Sequence, residues 1–578
     1  MINKENQINF LKLKKNLKKD YSGLKLVKIA ILGDSSTQIL HQSLKGYGFE
    51  VGIDFLIYES DYKQINQEIL NPESGLFHFQ PAFTILFQCV QNQYAEFCTK
   101  DEKNRLSFAD DYMRSTEFLV EKLDSLGSQI IFNNFIELND NVFGNFGNKV
   151  EYSFLFQLRK LNFNLMQLAQ RRSNLFLNDI CSLSNLIGQD YSIDHQLYLT
   201  SDFAFSIDFF VVVAKNILDI ILPHLGRIKK CLILDLDNTI WGGEIGEDGI
   251  NKIQIGNIGL GKAFSEIQIW AKELKNRGIL LAICSKNTES NAKAPFTDHP
   301  EMILKLDDIS VFVANWNNKD ENIKSIQSVL NIGFDAMVFL DDNPYERGLV
   351  RYAFPEICVP ELPEDPAGYL TYLKSLNLFE MASFSNEDKE RTQLYQDETK
   401  RITNKEESRS EEEFFKNLGM TSTVKRFDEY GIPRVAQLLQ RSNQFNLRTI
   451  RYSEEELTKI SNSEEYIPLY LDLSDTYGAY GLIAVVILQK QSDSLFIDTW
   501  AMSCRILKRG MEEFIMNHLV LIAKDQEFMF ITGEYIPTAK NGIVKELYST
   551  LNFKPKNTIW ELEVKNYIEL STHLVLST

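Results

Sequence analysis

Lys230-Cys-Leu-Ile-Leu-Asp235-Leu-Asp-Asn-Thr239 is the stretch on which the reading of this chain turns. Its apolar run, Cys231 to Leu234, reads as a strand buried on both faces, as in a parallel sheet. Side chains that follow such a strand emerge at the carboxyl edge of an open α/β sheet, where these folds place their sites. Two carboxylates two residues apart, Asp235 and Asp237, suit divided labour. One attacks phosphorus, and the other gives and takes a proton. The DxDxT pattern alone is short and arises readily by chance.

Working outward, three further elements stand in order. Strand 280–284 runs into Ser285, within Cys284-Ser-Lys-Asn287. After a strand at 311–314, Lys319 opens a helix over 320–330. Strand 336–340 ends in Asp341-Asp342-Asn343. Together they offer a hydroxyl and a cation for phosphate oxygens, and more carboxylates for Mg2+. A capping Ser, a solvated Lys and a turn Asp pair are the bland alternatives, and the ordered set outweighs them. With a helix over 263–277, the segment is a β/α/β unit. The short runs after Thr239 and between Asn287 and Lys319 leave no room for a large cap domain.

On the amino side, strands at 26–32, 83–87 and 129–132, with a helix around 113–126, imply a second parallel α/β sheet. Gly33-Asp34-Ser35-Ser36-Thr37 follows the first strand and is suited to cap the next helix. Residues 1 to about 20 read as a solvated helix or tail without a signal peptide's apolar region. The apolar stretch 203–225 is broken by Asp208, Lys215 and Asp219, so it reads as a buried amphipathic helix and not a membrane span. Residues 384–413 are highly charged and read as an exposed helical connector. Beyond 418 the pattern is α+β, with hairpin-like strands at 480–489 and 494–499 and a helix over 508–523. The expected class is thus multidomain α/β: an α/β domain over 1–225, the catalytic domain over 226–380, the connector over 381–417, and an α+β domain over 418–578.

Composition agrees with that plan. The chain has 578 residues, 44% of them hydrophobic and 24% charged, enough for several cores at about 150 residues per domain. Its formal charge of −18 makes nucleic acid a poor partner. Seven cysteines without a CxxC pair disfavour a disulfide framework or zinc knuckle, and a reducing cytoplasmic location fits.

The ordered motifs resemble the haloacid dehalogenase (HAD) superfamily of phosphatases and phosphotransferases. The resemblance makes Asp235 the nucleophile and Asp237 the acid/base, which also gives its carbonyl to Mg2+. Thr239, Ser285 and Lys319 then bind the phosphoryl group, with Lys324 the weaker candidate for the lysine. Asp235, Asp237, Asp341 and Asp342 form the metal site. Leu234 to Gly249, Cys284 to Asn287, His299-Pro-Glu-Met302, Asn315-Trp-Asn-Asn-Lys319 and Asp341 to Arg347 narrow the match to the FkbH-like subgroup, subfamily IIIC.

Proteins of that subgroup imply two flanking domains. Gly33-Asp34-Ser35 resembles the first block of SGNH hydrolases. The late Asp-x-x-His is missing, since Asp194 is followed directly by His195, and Asn133-Asn134 is a weak oxyanion block. That domain therefore reads as degenerate and Ser35 as dispensable. The C-terminal third resembles a GNAT-like acyltransferase fold through Asn443 to Leu447, Arg451-Tyr452, Tyr480-Gly481 and Met502-Ser-Cys-Arg505. Arg505, Lys508, Arg509 and Gly510 keep the basic character of a pantetheine site, and the three cations could form a docking patch for an acidic acyl carrier protein. What the resemblance implies is a glyceryl-transferring enzyme of polyketide-type biosynthesis. It would take 1,3-bisphosphoglycerate, remove phosphate, and load the carrier protein, with Cys284 or Cys504 as candidate acyl acceptors. A simple phosphatase with structural flanking domains and a non-enzymatic carrier-docking scaffold are the alternatives. Oligomeric state is left open.

Overall fold

Alternation of short apolar strands with amphipathic helices builds two parallel sheets in this protein, one in each of two units, Met1–Leu222 and Pro223–Thr578. The computed structural model describes residues 9–384, 392, 394–395, 415–476, 478–503, 506–507, 509–538 and 540–577. The charged segment expected to form a connector falls mostly outside the described residues. Among the described residues, no helix is long and apolar enough to cross a membrane.

The first unit holds β1 (Lys25–Gly33), β2 (Ile53–Glu59), β3 (Phe83–Phe87), β4 (Gln129–Asn133) and β5 (Leu175–Asn178). They pair in parallel in the order β2-β1-β3-β4-β5, so the winding reverses between β1 and β3. The sequence reading missed β2 and β5. β2 lies at the sheet edge with its second half only partly buried. β5 is four residues long and buries only its end residues, so neither shows a buried run. Helices Phe108–Leu123 and Phe154–Arg171 cover one face of the sheet through Met113, Val120, Leu158 and Leu165. Phe210, on helix Ile207–His224, stacks on Phe87 with ring centroids 5.9 Å apart.

Two expectations need correction here. The segment read as a solvated helix or tail holds a helix, Phe10–Asn16, with its lysines exposed, but the helix is docked: it buries Leu13 completely, and Asn16 Nδ2 donates to the Gly46 carbonyl at 3.2 Å. A methyl group at position 46 would lie 2.6 Å from the Leu13 carbonyl oxygen, so the two helices approach this closely because residue 46 is glycine. Thr37 sits at the N-cap of helix Gln38–Glu50 but makes no side-chain cap bond. Its hydroxyl is bonded to Glu59 instead.

The second unit opens with β6 (Cys231–Leu234), β7 (Leu280–Ser285), β8 (Val311–Ala314) and β9 (Met337–Leu340), all parallel, in the order β8-β7-β6-β9. Strand residues alternate between two apolar layers. Leu232, Leu281 and Val338 pack with helix Gly259–Asn276. Cys231, Ala282 and Phe339 pack with helix Lys319–Leu330. β6 is an inner strand, flanked by β7 and β9, and its carboxyl end is therefore the centre of that edge.

The unit also holds an eight-stranded sheet. It comprises β10 (Thr421–Arg426), β11 (Tyr466–Asp475), β12 (Gly478–Lys490), β13 (Ser494–Met502), β14 (Phe530–Gly533), β15 (Lys554–Lys556), β16 (Ile559–Glu563) and β17 (Val575–Leu576). β11, β12 and β13 pair antiparallel, and β13 pairs with β14 in parallel. The two parts of the unit meet at the amino ends of β6 and β9. Asn443 Nδ2 donates to the Gly226 carbonyl at 2.9 Å, Lys230 Nζ donates to the Arg441 carbonyl at 3.0 Å, and Lys540 pairs with Asp335.

Gly46→Ala tests the close helix approach in the first unit. It is expected to destabilise that unit by about 1–3 kcal/mol through overpacking and to speed amide exchange in residues 10–16. Unchanged exchange there would mean that the helix is not held by this contact.

Candidate active site

Asp235 is fixed by continuing the β6–β9 ladder one residue past the strand: its N–H donates to the Leu340 carbonyl at 3.0 Å. β9 then delivers Asp341 and Asp342 to the same edge. Asp235, Asp341 and Asp342 each place a carboxylate oxygen within 4.8 Å of the others. Lys319, first residue of its helix, brings Nζ to 3.0 Å from Asp235 Oδ1 and 2.5 Å from Asp341 Oδ2. Asp235, Lys319 and Asp341 are all buried.

Charge and burial together define what this cluster can hold. Burial pushes Asp235 up to about 6 against the pull of Lys319, with Asp341 adding to the rise. Burial, reinforced by Asp235, pushes Asp342 up to about 6, and burial also raises Asp341. Burial alone would lower Lys319, but Asp235 and Asp341 outweigh it and hold the ammonium protonated well above its usual range. Three ionised carboxylates against one ammonium leave two negative charges. Oxygen donors with that excess fit a hard divalent cation such as Mg2+.

Asp237 stands outside this cluster. Its Oδ1 accepts from Trp241 Nε1 at 2.8 Å and from the Ile245 N–H at 3.0 Å, and its Oδ2 accepts from Asn287 Nδ2 at 2.8 Å. Asn238, between Asp237 and Thr239, takes a left-handed φ of 53°, which Asn tolerates better than most residues. Its Oδ1 accepts the Gly243 N–H at 2.9 Å. Thr239 Oγ1 accepts the Asp342 N–H at 3.2 Å, which ties the β6 and β9 loops together. Ser285, also buried, receives Asn287 Nδ2 on its hydroxyl at 3.2 Å.

Reading the sequence alone gave no role to Asn287, Trp241 or Arg347. Arg347 Nη1 donates to the carbonyls of Asp341 at 2.9 Å and Asp342 at 2.7 Å, and Glu361 holds its Nε at 3.0 Å. The signal was present in the quoted motifs, which contain all three residues, but the pairing across loops was not legible. Of the two candidate lysines, Lys319 reaches the carboxylates, whereas Lys324 is exposed on the helix.

The acyl acceptor Cys284 requires correction. Its side chain is fully buried in the apolar layer with Ala282, Ile323 and Phe339, its Sγ lies 3.8 Å from the Lys319 carbonyl, and burial raises its thiol well above the usual range. A thiol so placed is neither ionised nor reachable. Cys504, Arg505 and Lys508 lie outside the described residues. Arg509 bonds the Tyr480 hydroxyl, and Gly510 takes φ 79° as the N-cap of helix Met511–Asp525.

In the first unit, Ser35 is buried, and its Oγ makes no hydrogen bond among the described residues. The polar groups that the SGNH resemblance singled out bond other partners. Asp34 Oδ1 accepts the Cys89 N–H at 2.9 Å. Asp194 Oδ1 accepts the N–H groups of Gln196 and Leu197. Asn133 bonds Asn178, and Asn134 bonds Asp179.

A buried carboxylate between an ammonium and two further carboxylates, at the carboxyl edge of a parallel sheet, is an arrangement suited to phosphoryl transfer. Comparison with known proteins agrees. Residues 28–222 match the family model described as FkbH, N-terminal domain. A solved structure, the N-terminal part of the protein BF1531 from Bacteroides fragilis containing a phosphatase domain complexed with Mg, is 44% identical. The match covers 65% of this chain and 100% of that one, with a TM-score of 0.63. This chain belongs to the FkbH-like family of phosphatase-domain proteins. The ribosomal-protein-S18-alanine N-acetyltransferase from Escherichia coli is 17% identical over 25% of this chain and 94% of its own, with a TM-score of 0.20. No match was found among curated proteins.

The raised carboxylates predict how metal binding depends on pH. An acid whose folded value lies near 6 and whose ordinary value is 3.8 costs the metal-free fold stability as pH rises between the two. A bound divalent cation removes that cost. The rise in melting temperature on adding Mg2+ should therefore be larger at pH 7.5 than at pH 5.0, as read by scanning fluorimetry. An equal or larger rise at pH 5.0 would count against this cluster as the cation site.

Proposed function

We propose that this chain is an Mg2+-dependent phosphatase acting on a small phosphorylated substrate. We further propose that phosphate removal is coupled to transfer of a glyceryl unit from 1,3-bisphosphoglycerate to an acyl carrier protein. The observation that carries the phosphatase reading is Asp235, held by Lys319 through Oδ1 beside Asp341 and Asp342.

In this reading Asp235 attacks phosphorus through Oδ2, and the bond to the leaving oxygen breaks. Asp237 gives that oxygen a proton and later takes one from the water that releases phosphate from Asp235. Lys319 neutralises the charge of the nucleophile and of the phosphoryl oxygens, and Thr239 and Ser285 orient those oxygens. Mg2+ would be held by Asp235 and Asp341, with Asp342 alongside and the Asp237 carbonyl as a further donor, and would offset phosphoryl charge. Arg347 acts through the backbone, fixing Asp341 and Asp342.

The acyl end of 1,3-bisphosphoglycerate is already activated. With Cys284 buried, the acceptor is Cys504 or the carrier's own pantetheine thiolate: the sulfur–carbon bond forms as the acyl carbon–oxygen bond to phosphate breaks. In the same reading residues 1–225 form a degenerate SGNH-like domain and 418–578 a GNAT-like domain that receives the carrier arm through Arg505, Lys508, Arg509 and Gly510. The protein would work in the cytoplasm. The burial of Cys284 also favours a second reading, a simple phosphatase whose flanking domains are structural.

Asp235→Asn should lower phosphate release by about a thousandfold or more, measured with Mg2+ across a panel of phosphometabolites. Near-wild-type turnover would remove Asp235 as the nucleophile. With 1,3-bisphosphoglycerate generated in situ, intact-mass spectrometry should show the wild type and Cys284→Ala loading a cognate carrier equally well. A loading defect confined to Cys284→Ala would restore that thiol as the acceptor. Phosphate release without loading of any carrier tried would favour the simple phosphatase.

A further inference from the structure

Trp241 and Asn287 have no part in binding phosphate or metal in the reading above, yet both spend buried N–H groups on one carboxylate. Trp241 is fully buried, packed edge-on against Phe296 with centroids 6.1 Å apart, and its Nε1 donates to Asp237 Oδ1 at 2.8 Å. Asn287 is buried on the β7 side, and its Nδ2 donates to Asp237 Oδ2 at 2.8 Å. With the Ile245 N–H at 3.0 Å, both carboxylate oxygens are anchored from separate loops. Donors on both oxygens fix the plane of the carboxylate as well as its position. A solvent-facing turn aspartate needs no such fixing.

We infer that Trp241 and Asn287 are positioning residues for Asp237, and that this clamp suits the site to alkyl phosphate monoesters, whose leaving group needs a proton. The inference rests on the phosphatase reading and deepens it. When Asp235 Oδ2 bonds to phosphorus and the bond to an alkyl oxygen breaks, the departing oxygen becomes a strongly basic alkoxide unless Asp237 supplies a proton. In the second half, water loses a proton to Asp237 as its oxygen bonds to phosphorus and the bond from Asp235 Oδ2 to phosphorus breaks, so phosphate leaves and the Asp237 carboxyl group is restored. An aryl phosphate such as p-nitrophenyl phosphate leaves as a stabilised phenolate and draws far less on the acid. Placement of Asp237 should therefore matter most for the alkyl ester. For 1,3-bisphosphoglycerate, the clamp assigns the phosphatase site to the alkyl end of the molecule and leaves the acyl phosphate to thiol displacement.

The test compares full-length wild type, Trp241→Phe and Asn287→Leu on glycerol 3-phosphate and p-nitrophenyl phosphate, with Mg2+. Trp241→Phe keeps an aromatic ring and removes only the donor and part of its bulk. Asn287→Leu also removes the bond to Ser285, so Trp241→Phe is the cleaner probe and Asn287→Leu the second route should the first not fold. General acid catalysis contributes roughly 10²- to 10⁴-fold. Each variant is thus expected to lose about 10- to 100-fold more kcat on the alkyl ester than on the aryl ester. Equal losses on both esters would make the two residues structural supports and overturn the inference, as would no loss on either. A wild type that hydrolyses neither ester in Mg2+ would instead overturn the phosphatase reading, and the clamp's role with it.

Discussion

A single buried ammonium organises the carboxyl edge of the four-stranded sheet. Lys319 is shared by Asp235 from β6 and Asp341 from β9, so two neighbouring strands present their carboxylates to one cation. Removing one partner of a buried pair of this kind typically costs about 3–5 kcal/mol, because the other charge is left without compensation. The arrangement also explains where the helix begins: its first residue is the lysine, so the helix start fixes where the cation sits. Arg347 repeats the principle through the backbone, holding the carbonyls of Asp341 and Asp342 while Glu361 holds the guanidinium. The carboxylates are thus steered by charge on one side and by hydrogen bonds on the other.

How much of this the sequence disclosed depends on how local the information was. β6, β7 and β8 announce themselves as apolar runs; Ser285 ends β7, Lys319 opens its helix, and Asp235 and Asp341 each sit one step past a strand. What lay hidden was of two kinds. Contacts across loops, such as Asn287 with Asp237, carry no periodic signal, because fifty residues separate the partners. The orientation of neighbours was the second. Cys284 precedes Ser285 by one residue, and adjacency made it look available. Strand alternation sends successive side chains to opposite faces, and Cys284 points into the packed layer. The helix over 10–16 was only half legible for a related reason: its lysines do face solvent, while one leucine and one glycine on the partner helix dock its other face.

The two parallel sheets make a useful contrast. Both carry an aspartate just past an inner strand. In the second unit Asp235 meets an ammonium and further carboxylates. In the first, Asp34 receives a backbone N–H, Asp194 caps a helix, and the Ser35 hydroxyl makes no hydrogen bond among the described residues. The same edge of the same kind of sheet is charged in one case and spent on local structure in the other, which is why fold alone is a poor guide to chemistry.

The seam inside the second unit has a consequence for how its parts communicate. Lys230 and Asp335 anchor the eight-stranded sheet at the amino ends of β6 and β9, while Asp235 and Asp341 stand at the opposite ends of those strands. Four residues of strand at about 3.3 Å each separate the two levels by roughly 13 Å, and that interval is filled with packed aliphatic side chains. Under the proposed reading, a group handed from the carboxyl edge to the eight-stranded part would travel around the parallel sheet, and the order of events would be governed by the reach of a tether or by free diffusion.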